Sequence, residues 1–310
     1  MLYFIVNEKS KSGNAKQIWK EIEEVLKVRN VSYQAFVSEY RGHAGKLAAE
    51  ICAMDDNDIC LVAVGGDGTA NEVINGITDF EKVRFGVVPT GSGNDLARGL
   101  SLSKDPKNGA IHILNAMKKS REDTWCMDLG EVNFGEKKRL FAISAGIGLD
   151  ALVCKKALKS TIKDILNKIR LGKLTYLVLT VQSLFTMQTA DAEIFFDREE
   201  GLQKKRMIFT AAMNFKAEGG GVPMAPAASA CDGKLSFCEA AGIPKWRTFL
   251  CLPFLVAAKH TSIHGFSVTD AKDCTIRLSR PMVVHADGEY CGEVTEVHFH
   301  CLPGKLRVLK

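Results

Sequence analysis

The sequence predicts an open, mostly parallel α/β domain followed by a β-sandwich domain. Three observations carry that expectation. Strand-like and helix-like patterns alternate through the first third of the chain. Ile59–Val64 is apolar without a break, as a parallel strand buried on both faces should be. Beyond Asp123–Asp128 the alternation gives way to short runs separated by glycine-rich turns, the texture of an antiparallel domain. The predicted domains are 1–124 and 125–310. The last fifteen or so residues have the option of returning to the first domain.

Leu2–Val6 reads as the first strand, followed by a polar turn over Asn7–Asn14. Ile18, Ile22, Val25 and Leu26 then recur at helical spacing. Tyr33–Val37 is a second strand and Ala44–Ala53 a second helix. The strand Ile59–Val64 runs into Gly65-Gly66-Asp67-Gly68-Thr69 and a helix through Asn71–Ile77. Phe85–Val88 is the next strand, Pro89–Asn94 a loop and Asp95–Leu100 a helix start. In the second half, strands are expected at Gly130–Phe134, Leu140–Ala145, Ala192–Asp197, Met207–Asn214 and Gly233–Cys238. Further strands are expected at Cys274–Leu278, Met282–His285 and Val294–Cys301, with a helical interlude over about 151–186.

Composition narrows the function class. With 46% apolar and 25% charged residues the chain is an ordinary globular one. Its net charge of +5 is modest, but it is concentrated. Lys155 to Lys173 holds seven basic residues and the single acid Asp164, so that stretch is +6 and the remainder −1. Ten scattered cysteines without a CxxC pair, behind an N-terminus unlike a signal peptide, point to reduced thiols in a cytoplasmic protein. Leu174–Phe185 and Phe249–Ala258 are too short to span a bilayer and contain Gln182 and Pro253 respectively.

The chemistry is concentrated in two loops. Val64-Gly65-Gly66-Asp67-Gly68-Thr69 ends a buried strand and opens a helix. That arrangement aims backbone N–H groups and a helix N-terminus at one point, where an anion binds. Asp67 in such a place needs a cation beside it, and Mg²⁺ on nucleotide phosphates supplies one. The alternative is a tight turn with Asp67 as N-cap. Pro89-Thr90-Gly91-Ser92-Gly93-Asn94-Asp95 repeats the design. Adjacent parallel strands would bring both loops to one carboxyl edge, which suits a Mg·ATP site. No GxGxxG follows the first strand, and no Walker A sequence occurs.

With these residues in view, the chain resembles the diacylglycerol kinase catalytic family, which includes bacterial lipid kinases and the sphingosine and ceramide kinases. The resemblance rests on GGDGTANEVINGI (Gly65–Ile77), VPTGSGNDLARGL (Val88–Leu100) and the late Asp287-Gly288-Glu289. Gly219-Gly220-Gly221-Val222-Pro223-Met224-Ala225-Pro226 echoes a further family pattern. The resemblance implies an ATP site made of Gly65, Gly66, Asp67, Gly68, Thr69 and Glu72. To these it adds Asn7, Ser10 and Lys11 from the first turn, Ser38 before the second helix, and Ser92 from the second loop. It implies Glu289 as general base, with Asp67 and Asp95 orienting Mg²⁺ through water. It also implies a structural metal held by Asp232 and by the backbone carbonyls of Ser229 and Lys234. The first turn departs from the family's Asn-Pro-x-Ser-Gly, reading Asn7-Glu8-Lys9-Ser10-Lys11. By its own composition Asp287-Gly288 is a hairpin turn, and Asp232-Gly233 a plain turn.

The implied function is ATP- and Mg²⁺-dependent phosphorylation of a lipid hydroxyl, diacylglycerol giving phosphatidic acid. An NAD kinase-like phosphotransferase and an inactive lipid-binding regulator are the rival readings. Leu158, Ile162, Ile165, Leu166 and Ile169 recur on one helical face, with Lys156, Lys159, Lys163 and Arg170 largely on another. Such a basic amphipathic helix suits peripheral docking on an anionic membrane. Nucleic acid is not an expected partner, since the basic stretch lacks interleaved aromatics. The oligomeric state stays open, a homodimer included. His298 and His300 with Cys291 and Cys301 fit strand alternation better than zinc. His260 and His264 lack the glutamate of a zinc-protease helix.

Overall fold

A computed structural model of the chain describes residues 1–10, 15–159, 172–197 and 200–310, with side chains left undescribed at 158, 159 and 172–177. It divides into two compact units, Met1–Leu129 with Pro303–Lys310, and Gly130–Leu302. The division falls inside the strand Trp125–Phe134, and the last eight residues, Pro303–Lys310, come back to the first unit.

The first unit is built from β1 (Leu2–Val6), α1 (Ala15–Val28), β2 (Tyr33–Val37), α2 (His43–Cys52), β3 (Ile59–Gly65), α3 (Asp67–Gly76), β4 (Val83–Pro89), α4 (Asp95–Gly99) and α5 (Pro106–Ala116). β4, β3, β1 and β2 are neighbours in that order, every pair parallel. β1, β3 and β4 are buried along their whole lengths, the reason their sequences show no polar alternation. α1 lays Trp19, Ile22 and Leu26 on the core, where Trp19 packs against Phe4 and Tyr33.

α2 and α3 touch through glycine. A Cβ on Gly76 would lie 2.1 Å from the Gly45 carbonyl oxygen, and one on Gly45 2.9 Å from that of Glu72. α5 was not expected, although its start is written in the chain. Asp105 caps it by accepting from the Asn108 N–H at 2.8 Å, and Pro106 fills the first turn, where no N–H is needed. Buried Arg84 reaches both oxygens of Asp58 and the carbonyls of Met117 and Lys119, so its charge and its donors are satisfied together.

The second unit takes the end of β5 (Trp125–Phe134), then β6 (Lys137–Phe141), β7 (Ser144–Gly148), α6 (Leu149–Lys159), α7 (Gly172–Thr186), β8 (Ala190–Phe196), β9 (Leu202–Met207), β10 (Phe209–Met213) and β11 (Leu235–Ala240). α8 (Lys245–Val256), β12 (Phe266–Ala271), β13 (Asp273–Ala286) and β14 (Glu289–Val308) complete it. The strand order is β12-β11-β10-β7-β13-β14, antiparallel at each step. β13 changes partners along its length. Cys274–Leu278 pairs with β8, and after an irregularity near Pro281, Val284–Ala286 pairs with β7. One strand thereby carries both the β7 and the β8 branches of the sheet. Within the described residues, the expected helical interlude holds α6 and α7. All ten cysteines are free thiols.

Candidate functional site

Among the described residues, two places gather polar and charged groups, one in each unit. In the first unit, the loops after β1, β2, β3 and β4 leave the same carboxyl edge. Hydrogen bonds continue across their first residues: Asn7 N–H to the Val64 carbonyl (2.9 Å), Ser38 N–H to Val6 (2.8 Å) and Thr90 N–H to Gly65 (2.8 Å).

The loops are then locked to one another. Asn7 Nδ2 donates to Thr69 Oγ1 at 3.0 Å, and Ser10 Oγ and Thr90 Oγ1 share a 2.5 Å hydrogen bond. Gly66 and Gly91 meet backbone to backbone. A Cβ on Gly91 would sit 2.7 Å from the Gly66 Cα, and one on Gly66 3.2 Å from the Gly91 Cα. Glycine is required at this point for the close approach of two chains, since neither residue has a positive φ. At Gly65 the occupant of the space is the Thr69 side chain, 2.5 Å from a built Cβ.

α3 opens at Asp67, four residues before the predicted start, with Gly66 as N-cap and no side chain capping it. Its first-turn N–H groups and positive dipole end therefore face the loop region without a protein acceptor from the cap. Asp67 instead serves the second loop: its two oxygens accept from the N–H groups of Asp95 and Leu96, each at 3.1 Å. Asp95 is buried and pairs with Arg98, whose other nitrogen donates to the Gly93 carbonyl at 2.9 Å. Carboxylate oxygens of Asp67 and Asp95 converge on Gly93, 3.1 and 3.6 Å from where its Cβ would be. That cradle of hard oxygen donors suits a magnesium ion, and a side chain at Gly93 would fill it. Asn94, at φ 53°, closes the loop with two hydrogen bonds between its amide and Gly91.

The remaining predicted residues of this edge divide. Ser92 is exposed on the loop and Ser38 is buried at the end of β2. Glu72 is turned toward the start of α2, where it accepts from the Gly42 N–H at 2.8 Å. Lys11 lies outside the described residues. Lys9, which the sequence reading passed over, donates to the Glu39 carbonyl at 2.6 Å and ties the first turn to the segment after β2.

In the second unit the chemistry surrounds the turn between β13 and β14. Asp287 and Gly288 both have positive φ, 47° and 80°, the two-residue hairpin turn that their identities predict. Asp287 accepts from three backbone N–H groups, those of Ala142, Ile143 and Ser144, at 2.8, 2.8 and 3.1 Å. Its own N–H donates to the Ser144 carbonyl at 2.8 Å. Glu289, half-buried, follows as the first residue of β14.

Behind the turn is a cluster that the sequence reading missed. His285 is buried, and its Nδ1 accepts from the Gly288 N–H at 3.2 Å while its Nε2 lies 3.1 Å from Asp150 Oδ2. Burial alone would lower the pKa of His285, but the Asp150 carboxylate, helped by Glu218 and Asp287, carries it above the ordinary value. The Gly288 N–H needs a lone pair on Nδ1, so these hydrogen bonds describe the neutral ring with its proton on Nε2. Asp150, Glu218 and His285 bring their ligand atoms within 4.8 Å of one another. With Nε2 carrying the proton, only the two carboxylates are ready to hold a cation. Ser144 Oγ donates to Glu218, which precedes the Gly219–Gly221 run, every glycine of which has positive φ. No motif pointed to Asp150. Its only signal is an acid two residues beyond a buried strand end.

Asp232 Oδ1 accepts from the Lys234 N–H at 3.1 Å across Gly233, at φ 75°, so the turn closes on its own hydrogen bonds. Ser229, Asp232 and Lys234 are all exposed. His298 and His300 both face Asp273, at 3.2 and 2.7 Å, while Phe299 and Cys301 between and after them are buried. His260 is a core residue whose Nε2 lies 2.9 Å from the Met224 carbonyl.

Comparison with known proteins decides the family. The diacylglycerol kinase catalytic domain matches residues 1–127, and the YegS C-terminal NAD kinase beta sandwich-like domain matches 144–310. The chain belongs to the diacylglycerol kinase-like family of lipid kinases. Bacillus subtilis YtlR, provisionally named a lipid kinase, is 30% identical over 99% of this chain and 98% of its own. The diacylglycerol kinase of the same organism is 27% identical over 79% of this chain and 75% of its own. Among solved structures, a Bacillus anthracis protein provisionally described as a diacylglycerol kinase superposes with a TM-score of 0.78 at 22% identity, covering 99% of this chain and 96% of that one. An Archaeoglobus fulgidus NAD kinase, solved in complex with ATP, reaches 0.55 at 14% identity over 100% of this chain and 94% of that one. These two likenesses concern the fold.

Proposed function

We propose that this family member transfers the γ-phosphate of ATP to the hydroxyl of a lipid, with diacylglycerol as acceptor and phosphatidic acid as product. The observation that carries the reading is the Gly66–Gly91 contact. It joins two glycine-rich loops beside the uncapped N-terminus of α3, with the Asp67 and Asp95 carboxylates at the same place. Phosphoryl transfer asks for positioning and charge neutralisation more than for covalent help, and backbone N–H groups with two carboxylates are fitted to that.

In this reading the α3 N-terminus and the loop amides hold the triphosphate. Asp67 and Asp95 hold Mg²⁺, which neutralises phosphate charge when bound. Asn7 and Ser10 act by fixing the loops through Thr69 and Thr90. Glu72 and Lys9 act at one remove, through the α2 start and the first turn. Glu289 accepts the proton of the lipid hydroxyl, and the Asp287 and His285 contacts keep its turn in place.

The NAD kinase reading is the second one, favoured by the shared fold with the Archaeoglobus enzyme. The deciding experiment is transfer of label from γ-labelled ATP with Mg²⁺ to diacylglycerol, sphingosine, ceramide and phosphatidylglycerol in mixed micelles. NAD⁺ goes in a parallel tube, with Asp67→Ala as the control. Labelled diacylglycerol that vanishes in the variant supports the proposal. Label in NAD⁺ alone gives the chain to the second reading, and label nowhere leaves a lipid-binding regulator.

A further inference from the structure

α8 is apolar on two sides. Thr248, Cys251 and Leu255 turn inward and are buried, as one helical stripe should be. Trp246, Phe249, Leu250, Pro253 and Phe254 fall at i, i+3, i+4, i+7 and i+8, a second stripe that faces solvent. Trp246 is 60% exposed, Leu250 57% and Phe254 50%. Phe185 of α7, also exposed, extends the stripe through a ring contact with Phe249 at 6.1 Å. A helix side open to water normally carries charge, and a contiguous exposed apolar patch marks an interaction surface.

The patch is held firmly. Lys245, at the start of α8, donates to the carbonyls of Phe185 and Met187 and so fastens the end of α7 to α8. Its charge pattern is one-sided. Neither α7 nor α8 contains an aspartate or glutamate, while Arg247 and Lys259 are exposed beside the patch. An acid-free apolar face with tryptophan, phenylalanine and a basic edge matches the interfacial region of an anionic bilayer, where aromatic rings sit at headgroup level and basic groups meet phosphate.

We propose that the outer stripe of α8, extended by Phe185, inserts into the interfacial layer of an anionic lipid membrane and is the docking surface of this protein. The proposal rests on the lipid-kinase reading for its purpose, since docking brings the second unit to its substrate. The location differs from the basic helix expected over 156–170, of which 160–170 lie outside the described residues. Lys155 and Lys156, the lysines of that basic stretch whose side chains are described, are engaged within the second unit. Lys155 pairs with Glu293 and lies over the Tyr290 ring, and Lys156 donates to Thr186.

The test is vesicle co-sedimentation without nucleotide, using phosphatidylcholine alone and phosphatidylcholine with phosphatidylglycerol. The wild-type chain should bind the anionic vesicles more tightly. Leu250→Asp and Phe254→Asp should each weaken binding by about tenfold or more, the scale for withdrawing one large apolar side chain from burial. Arg247→Glu should weaken binding to anionic vesicles only. Brominated acyl chains should quench a fluorescence component that Trp246→Phe removes. Turnover of a water-soluble short-chain diacylglycerol should be the same in all variants. Failure of that turnover in the wild-type chain would sink the kinase reading and leave the docking result standing. Unchanged vesicle binding in both aspartate variants overturns the docking proposal. If light scattering shows those variants converting a dimer to a monomer with vesicle binding intact, the face belongs to a second copy of the chain and the proposal also fails.

Discussion

The two chemical centres are held by opposite means. In the first unit, the loops after β3 and β4 are positioned by what is missing: Gly66 and Gly91 leave no room for a side chain between two backbones. In the second unit, the turn carrying Glu289 is positioned by what is present, one Asp287 carboxylate gathering three N–H groups. Gly288 of that turn has nothing within 4 Å of a built Cβ, so it is glycine for its φ of 80° alone. The same residue type thus does steric work in one place and torsional work in the other. In the proposed reading, a phosphate site made of backbone tolerates little change in shape, whereas a base delivered by a side chain tolerates change in shape better than change in chemistry.

Substitutions at each centre sharpen this contrast. Glu289→Gln, nearly isosteric, should lower kcat for lipid phosphorylation by about 10²–10⁴-fold, the usual worth of a general base. Its thermal midpoint should match the wild type, and near-normal kcat would remove Glu289 from the role. Gly91→Ala adds one methyl group and should cost about 10²-fold in kcat/KM for ATP, because it displaces the loop without touching its chemistry. Unaltered nucleotide kinetics would show that the Gly66–Gly91 contact is not what shapes the site.

Asp287→Asn keeps the shape of the turn but sets an amide NH₂ against a backbone N–H. A loss of about 2 kcal/mol is expected in urea unfolding, from weakened charge-assisted hydrogen bonds and an unpaired donor. Gly288→Ala should show the smallest effect, about 1 kcal/mol of left-handed backbone strain with no steric clash. If Gly288→Ala proved more damaging than Gly91→Ala in both stability and turnover, the division between torsional and steric glycine would be wrong.

Much of the first unit is legible in the sequence because parallel strands buried on both faces are written as unbroken apolar runs. β1, β3 and β4 stand close to where Leu2–Val6, Ile59–Val64 and Phe85–Val88 predict them. The glycine loops are equally legible, since close backbone approach demands one residue type. α5 and α8 escaped for different reasons. The start of α5 is signalled by Asp105-Pro106, a short-range cue easily passed over beside the loop before it. α8 contains Pro253 and is apolar on two faces, so it lacks the one-sided period by which a helix is recognised. The Asp150–His285 contact spans 135 positions and follows no spacing rule. Glu72 shows the converse: it belongs to a readable motif, but its hydrogen bond to Gly42 depends on how α2 packs against α3.

The returning strand has a consequence for how the protein is made. Arg307 and Val308 pair in parallel with Arg84 and Phe85, the Leu309 N–H donates to the Phe85 carbonyl, and Leu306, Val308 and Leu309 are buried in the first unit. Asp128 adds a hydrogen bond to the Gly304 N–H at 2.7 Å. On the ribosome, β4 therefore emerges more than two hundred residues before the strand that covers its edge. Throughout that interval the nascent first unit presents an open row of backbone donors and acceptors, an invitation to wrong pairing. Its glycine-rich loops can form early, but its sheet is sealed only after the whole second unit has been synthesised.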